Sequence, residues 1–149
     1  FQRAPVDLYD LCAQSIERLS TVAARQSVTL ELTGEHAEIL GVEQLLKEMI
    51  YNLLDNAIKY NVPGGSVTAS VRKSAGRTIL SVSDTGIGIP YAHQPRVFER
   101  FYRVDKSHSK EVGGTGLGLS IVRHAAQYHG ARLELKSQPG KGTTITVTF

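Results

Sequence analysis

Apolar residues recur at helical spacing in three parts of the chain. Residues 8–26 place an apolar side chain at every third or fourth position, and residues 42–61 and 117–129 repeat this pattern. A Pro-Gly-Gly sequence at 63–65 follows the second part and Gly130 follows the third, and such residues commonly end helices. The pattern therefore predicts three amphipathic helices, each with one buried face.

Strand patterns occupy most of the remaining chain, where apolar and polar residues alternate or short apolar runs are bounded by turn residues. The predicted strands cover residues 28–32, 37–40, 66–72, 78–83, 132–136 and 143–148. Ala75 and Gly76 suit a hairpin turn between the third and fourth strands, and residues 139–142 suit another between the last two. Three helices packed against one mixed, mostly antiparallel sheet form a two-layer α/β sandwich.

Residues 90–114 lack sustained periodicity and contain two prolines and many charges, so they predict a long loop with room for a short helix. Loops of this length in a small domain often act as lids. Five arginines and lysines, but only two acidic residues, lie between residues 96 and 110, which suits a small polyanion such as a nucleotide. The remaining basic residues are scattered despite the net charge of +3, so we do not expect nucleic-acid binding.

The 149 residues suffice for one compact domain, and we predict a single domain over residues 1–149. The chain begins with Phe1 and shows no signal-peptide pattern, so we expect a segment of a longer protein. No apolar run approaches the length that spans a bilayer, and we expect no direct membrane contact by this domain. The single cysteine, Cys12, lies on the apolar face of the first predicted helix and fits a reducing, cytoplasmic compartment.

The second predicted helix carries a polar stripe opposite its apolar face. At about 100° per residue, this stripe contains Glu48, Asn52, Asp55, Asn56 and Lys59. Amide oxygens are hard ligands that suit Mg²⁺, which binds few protein groups together with waters and phosphates. The lysine can meet phosphate charge. A solvated helix face has the same composition, and the stripe alone does not distinguish the two interpretations.

Asp84, Gly86 and Gly88 follow directly after the fourth predicted strand. A carboxylate at a strand end can accept a hydrogen bond from the amino group of adenine, and glycines let a planar base approach the backbone closely. The same residue types also form ordinary turns, so this cluster alone favours neither interpretation.

Glycines at positions 113, 114, 116 and 118 open the third predicted helix. Backbone N–H groups at such a helix start can point at phosphate oxygens, where the helix dipole also favours negative charge. The spacing differs from the Gly-x-Gly-x-x-Gly dinucleotide fingerprint, and the chain has no Gly-Lys-Ser/Thr phosphate loop. The signatures of eukaryotic-type protein kinases are also absent from the sequence.

The order of these clusters is more informative than any one of them. The polar helix, the Asp-Thr-Gly-Ile-Gly-Ile sequence at 84–89, the Phe-Glu-Arg-Phe-Tyr-Arg sequence at 98–103 and the glycines at 114–118 resemble the N, G1, F and G2 boxes of bacterial sensor histidine kinases. Residues 142–144 resemble the last glycine-threonine box. The resemblance implies the Bergerat α/β sandwich that gyrase, Hsp90 and MutL ATPases share. Residues 101–106 are similar to kinases of the phosphate-sensing, PhoR-like type.

The resemblance implies a role for each matching residue. Asn56 and Asn52 would hold Mg²⁺. Lys59 would contact phosphate or ribose, and Tyr60 would pack near the nucleotide. Asp84 would accept the adenine amino hydrogen. The nucleotide pocket would also include Gly86, Gly88, Ile89, Gly114, Thr115, Gly116, Leu117, Gly118, Leu119 and Thr144.

By the same resemblance, residues 90–114 would form a lid over ATP. Arg103 in this lid would approach the γ-phosphate, where a planar cation stabilises charge that develops during transfer. Phe98 and Phe101 would anchor the lid by burying apolar area. The implied catalytic residues are Arg103, Asn52 and Lys59.

The implied activity is transfer of the γ-phosphate of Mg·ATP to a histidine on a separate dimerisation domain, for relay to a response regulator. None of the five histidines lies in a His-Glu-Leu-Arg-Thr-Pro-like context, so we expect the acceptor elsewhere and no autophosphorylation by the isolated domain. Residues 1–7 would be the tail of the connection from that domain. The parent protein would be a homodimeric sensor of the inner membrane, with this domain in the cytoplasm.

Two other functions compete with this one. An autonomous ATPase of the wider superfamily uses a glutamate one turn before the metal-binding asparagine, and Asn52 at that position cannot act as a base. This residue favours phosphate transfer over hydrolysis. A degenerate kinase that only senses nucleotide or docks a partner is disfavoured because every box is intact.

Overall fold

The computed structural model describes residues 2–103 and 118–149. The helices in these ranges are α1 (Leu8–Arg25), α2 (Glu43–Lys59), α3 (Gly118–Tyr128) and a 3-10 helix (Tyr91–Arg96). The three predicted helices are confirmed to within two residues at each end. The 3-10 helix lies in the predicted long loop, which is otherwise irregular as far as it is described.

The strands in the described ranges form two sheets. They are β1 (Ala4–Asp7), β2 (Thr29–Gly34), β3 (Glu38–Gly41), β4 (Ser66–Ser74), β5 (Arg77–Asp84), β6 (Arg132–Gln138) and β7 (Gly142–Thr148). The larger sheet has the order β2-β4-β5-β7-β6, in which β2 and β4 are parallel and the other pairs antiparallel. This arrangement confirms the prediction of a mixed, mostly antiparallel sheet. The prediction of a single sheet is wrong, because β3 pairs with β1 in a second, two-stranded sheet and not with the larger one. Ala75 and Gly76 form the predicted hairpin turn with positive φ angles of 51° and 77°.

Strand β1 was not predicted from the sequence. It pairs with β3 in an antiparallel two-stranded sheet, with Val6 opposite Ile39 and Pro5 opposite Leu40. Only Val6 of the four strand residues is buried, so the segment offers no run of alternating apolar positions that a sequence pattern could detect. Residues 4–7 are therefore part of the fold of this domain, whatever precedes them.

The core lies between the helices and one face of the larger sheet. Val67, Ala69 and Val71 of β4 are buried, whereas the polar residues that alternate with them on the outer face are partly exposed. Helix α2 packs against α1, α3, β4 and β5, so it is the central element of the helical layer. Its buried face comprises Leu46, Met49, Ile50, Leu53, Leu54, Ala57 and Ile58. The two-layer α/β sandwich is thereby confirmed.

Cys12 is fully buried in this core, and burial raises the pKa of its thiol to about 12. A thiol that stays protonated is a poor nucleophile, so Cys12 acts as a small apolar residue, as expected. No helix within residues 2–103 and 118–149 is long and apolar enough to cross a membrane.

His36 and His129 both have structural contacts. His36 Nδ1 lies 3.1 Å from Asp7 Oδ2, and the other oxygen of Asp7 accepts the N–H of Asp10 and caps α1. His129 Nδ1 lies 2.7 Å from the carbonyl oxygen of Ala125, and its Nε2 accepts the N–H of Val42 at 3.0 Å. The second contact ties the C-terminal end of α3 to the N-terminal end of α2.

We predict that His129→Ala lowers the free energy of unfolding by about 1–3 kcal/mol, because it leaves the part-buried N–H of Val42 without its acceptor. Urea denaturation followed by circular dichroism would measure the change. His124→Ala is the matched control, since His124 is exposed on the same helix and should change stability little. Equal stability of the two variants would show that the Val42 contact does not stabilise the fold.

Candidate functional site

Asp84, the last residue of β5, holds the loop after β5 against the start of β7 at one end of the larger sheet. Its Oδ1 atom accepts the backbone N–H of Gly86 at 2.9 Å and the backbone N–H of Thr143 at 3.1 Å. The first donor belongs to the loop that follows β5, and the second belongs to β7. The carboxylate is therefore fixed in orientation by backbone groups from two separate parts of the chain.

The loop after β5 runs against its neighbours with no space for side chains at its glycines. A Cβ atom on Gly86 would lie 2.3 Å from the carbonyl oxygen of Tyr60, and one on Gly88 would lie 2.1 Å from that of Gln138. Gly88 also has a φ of +71°, which disfavours other residues. The backbone of Ile87 donates to the Tyr60 carbonyl at 3.0 Å. The glycines predicted for the pocket are thus required for close approach of backbones.

Burial raises the pKa of the Asp84 carboxyl above its usual value, and the hydrogen bonds from Gly86 and Thr143 partly offset this effect. The group is a partly desolvated carboxylate with one oxygen committed to the backbone. Such a carboxylate has a strong preference for a further hydrogen-bond donor, and the exocyclic amino group of a base supplies one.

Thr144 was predicted to shape the pocket, but its hydroxyl does not contact Asp84. It lies 2.7 Å from the hydroxyl of Ser83, its cross-strand partner on β5, on the face of the sheet opposite Val82 and Ile145. Thr143 provides the contact to Asp84 instead. This contact is made by the backbone N–H of Thr143, so it does not depend on the type of side chain at that position. Thr144 does border an open pocket of about 590 Å³ beside Asp84.

The polar stripe of α2 is partly covered instead of fully solvated. Asn52, Asp55, Asn56 and Lys59 are all half-buried, and only Glu48 is exposed. The side-chain N–H of Asn52 donates to the Glu48 carbonyl at 2.7 Å, so the amide nitrogen, and not the amide oxygen, makes this bond to the helix backbone. These burial values favour a site over a plain solvated face.

Helix α3 begins against this stripe. A Cβ atom on Gly118 would lie 3.3 Å from Oδ1 of Asn52, so the N-terminus of α3 and the asparagine are neighbours. Both residues were predicted to belong to the nucleotide site. Leu119, also predicted for the pocket, packs against the hydrophobic core. Gly114, Thr115, Gly116 and Leu117 lie outside the described residues.

The described part of the predicted lid begins with the 3-10 helix. Gln94 fastens it by donating to the carbonyl oxygens of Ile89 at 2.9 Å and Ser137 at 3.1 Å. Ile89 in turn donates its N–H to the Ser137 hydroxyl at 2.8 Å. Residues 104–114 of the lid lie outside the described residues.

The two phenylalanines of this segment differ in burial. Phe98 packs against the core as expected for a lid anchor, whereas Phe101 is 63 % exposed and has a φ of +65°. The prediction that Phe101 buries apolar area is therefore wrong for this state of the domain, because its backbone turns the ring outward. Arg103 is half-buried two residues further on. Arg96 forms a two-point ion pair with Glu99, at 3.0 and 3.1 Å.

The oxygen donors of the α2 stripe fit a hard divalent cation. Asn52 and Asn56 offer amide oxygens and Asp55 offers a carboxylate, whereas the stripe contains no histidine or cysteine that a softer metal would prefer. Lys59, one turn after Asp55, adds a cation for a phosphate. The chemistry of this donor set suits Mg²⁺ with a polyphosphate.

Comparison with known proteins now decides the family. The sequence profile described as "Histidine kinase-, DNA gyrase B-, and HSP90-like ATPase" matches residues 41–149. The chain belongs to this family. The sensor histidine kinase YkoH of Bacillus subtilis is 42 % identical over 144 residues, covering 97 % of this chain and 31 % of that protein. The phosphate regulon sensor protein PhoR of Pseudomonas aeruginosa is 41 % identical over 140 residues, covering 94 % of this chain and 30 % of PhoR.

Solved structures agree with the sequence relatives. The mycobacterial sensor histidine kinase MprB superposes with a TM-score of 0.83 at 32 % identity, covering 99 % of this chain and 96 % of that one. The catalytic domain of the histidine kinase ThkA shares the fold with a TM-score of 0.85 at 18 % identity, covering 100 % of this chain and 95 % of that one. This chain spans about a third of the length of the curated relatives, so it corresponds to their ATPase domain.

We predict that Asp84→Asn leaves the nucleotide-free domain as stable as the wild type or more stable at pH 7. The amide keeps Oδ1 for both backbone donors and removes the desolvated charge. Because the folded-state pKa of Asp84 is raised, its contribution to stability falls as pH rises from the usual value of 3.8 through the folded-state value. The thermal midpoints of the two proteins should therefore converge at acidic pH.

Asp84→Ala is the control for this prediction, since it removes the acceptor of both N–H groups and should cost about 1–3 kcal/mol. Thermal unfolding of the three proteins between pH 3 and pH 8 gives the comparison. A large loss of stability in Asp84→Asn at pH 7 would mean that the negative charge itself holds the loops.

Proposed function

We propose that this domain binds Mg·ATP and donates its γ-phosphate to a histidine on the dimerisation and phosphoacceptor domain of its own sensor kinase. The proposal rests on one contact, at Tyr60, between the loop that carries Asp84 and the helix that carries the polar stripe. The carbonyl of Tyr60 accepts the N–H of Ile87, which ties the Asp84 loop to the end of α2. A base bound at Asp84 and phosphates bound along α2 would thus belong to one ligand.

Each residue has a distinct part in the proposed reaction. Asp84 holds the adenine amino group, and the N-terminal end of α3 lies where backbone N–H groups can face phosphate oxygens. Asn52 and Asn56 would hold Mg²⁺, which would neutralise phosphate charge when bound. Lys59 would contact the phosphates, and Arg103 would approach the γ-phosphate from the lid.

The proposed phosphate transfer needs only ATP, the histidine and an acceptor for the histidine proton. The bond between the γ-phosphorus and the oxygen that bridges it to the β-phosphate breaks, and a bond from the phosphorus to an imidazole nitrogen forms. ADP leaves with the bridging oxygen, and the imidazole proton passes to a base outside this chain. The role of this domain is to position the γ-phosphate and to stabilise its charge, which supplies most of the catalysis in such reactions.

The acceptor histidine is proposed to lie outside residues 1–149. His36 and His129 serve as structural contacts, and no histidine here is followed by a phosphoacceptor-like sequence. Asn52 lies where hydrolysing members of the superfamily carry a glutamate, so water activation is disfavoured. The full protein is proposed to act as a membrane-bound homodimer, with this domain in the cytoplasm and a response regulator as its partner.

We predict that the isolated domain binds Mg·ATP and Mg·ADP, because the residues proposed to hold the base and the metal all lie within it. Isothermal calorimetry measures the affinity. Asp84→Asn should weaken binding about tenfold or more, since an amide is a poorer acceptor than a carboxylate for the amino group. Absence of binding heat and of a nucleotide-dependent rise in thermal midpoint would contradict the proposed function.

Labelled ATP should produce neither stable label on the isolated domain nor fast turnover, and addition of its cognate dimerisation domain should restore transfer to histidine. In that mixture Arg103→Ala should slow transfer about a hundredfold while it changes nucleotide affinity by less than about tenfold, because its contact matters most when charge shifts in the transition state. Arg100→Ala, at an exposed position in the same segment, is the control. Stable label on the isolated domain would overturn the assignment, and equal losses of binding and rate would make Arg103 an affinity residue.

A further inference from the structure

Asp55 has no part in the reaction proposed above, although it lies in the middle of the α2 stripe. Its Oδ2 atom is 3.0 Å from Nζ of Lys59, and the two side chains are only 19 % and 26 % exposed. The pair is spaced four residues apart with the acid first, which is the favoured orientation on a helix. Lys59 is therefore neutralised in the nucleotide-free domain.

The same carboxylate lies on the polar stripe beside the proposed metal site. Asn52 lies three residues before Asp55, a spacing that makes the two side chains neighbours on the helix surface, and Asn56 is the next residue along the chain, about 100° further round the helix. Among the polar residues of the stripe, Asp55 and Glu48 carry the negative charges, and Glu48 is exposed and lies about two turns before Asn56. Asp55 is thus the negative group that a bound nucleotide would meet first.

A fixed Asp55–Lys59 pair conflicts with nucleotide binding. If the pair persists, the charge of Lys59 is not available to a phosphate, and the carboxylate repels it. If phosphate takes Lys59 alone, a half-buried carboxylate loses its cation, which is costly. The conflict disappears if Asp55 and Lys59 both take new partners at the same time, because each charge then remains compensated.

Resting on the proposed function, we propose that Asp55 exchanges partners when nucleotide binds: it releases Lys59 to the phosphates and accepts hydrogen bonds from the water shell of Mg²⁺. Mg²⁺ keeps several of its waters in protein sites, and carboxylates near them accept strong hydrogen bonds. Asp55 would then oppose ATP without metal and favour ATP with metal. It is a positioning residue that makes the site select the metal-bound nucleotide.

The test is a ratio of two dissociation constants for ATP at equal ionic strength. The constant measured with excess chelator is divided by the constant measured with excess MgCl₂. Calorimetry on the wild-type domain gives the reference ratio. In Asp55→Asn, metal-free ATP should bind more tightly and Mg·ATP more weakly, so the ratio should fall about tenfold, as expected for one lost charge contact. This ratio is a binding quantity and does not depend on phosphate transfer.

Two further variants separate this role from others. Glu48→Gln removes the same charge from the exposed end of the stripe and should leave the ratio unchanged. Asp55→Glu keeps the charge and should retain most of the ratio, which provides a readout if Asp55→Asn folds poorly. An unchanged ratio in Asp55→Asn, or equal weakening of both nucleotide forms, would overturn the assignment. Asp55 would then only hold the side chain of Lys59 in place. Absence of any ATP binding by the wild type would overturn the proposed function itself, and this assignment with it.

Discussion

The site depends on one constraint, the anchoring of the loop after β5 by Asp84. Its carboxylate oxygen collects N–H groups from Gly86 and Thr143, and the loop then lies so close to Tyr60 that a methyl group at Gly86 would have no space. The end of the sheet and the end of α2 are therefore held at a fixed separation. A ligand that touches both elements meets backbone groups whose positions are already set on these two elements, which lowers the entropy cost of binding there.

Helix α2 serves the core and the site at the same time. Its apolar face is buried against the sheet and the other helices, and its opposite face carries the amide oxygens and the Asp55–Lys59 pair. Because the apolar face is buried in a close-packed interior, the polar face has little freedom to rotate or shift. Functional groups on a helix of this kind are positioned more accurately than groups on a loop. Gly118 brings the start of α3 to the same face.

The N-terminal segment is connected to the far end of α3. The guanidinium of Arg3 donates to the carbonyl oxygen of Tyr128 at 2.9 Å and lies 5.1 Å from the centre of its ring. A cation at the C-terminal end of a helix satisfies a free carbonyl and complements the helix dipole. His129 then joins this helix end to the start of α2. Arg3 is thus in direct contact with the end of α3, and α3 is joined to α2 through His129.

The sequence by itself determined the elements whose cause is local. The periodicity of apolar residues located three helices and six of the seven strands of the described chain. The order of the polar and glycine clusters indicated the family. Each of these elements and clusters is formed by residues close together in the chain. Asp84 and the asparagines of α2 were predicted as one site from that order. The contact that joins their two segments, between the N–H of Ile87 and the carbonyl of Tyr60, involves only backbone atoms. Residue types in the sequence therefore do not predict it.

Tertiary structure alone decided the contacts between distant segments. Strand β1 forms because it pairs with β3, and the backbone N–H of Thr143 reaches Asp84 because the register of β5 and β7 brings the two residues together. Phe101 is exposed because of its own positive φ, in a segment whose course depends on what it packs against. Register, strand edges and loop course depend on partners tens of residues away in the chain, and local propensity carries no information about them.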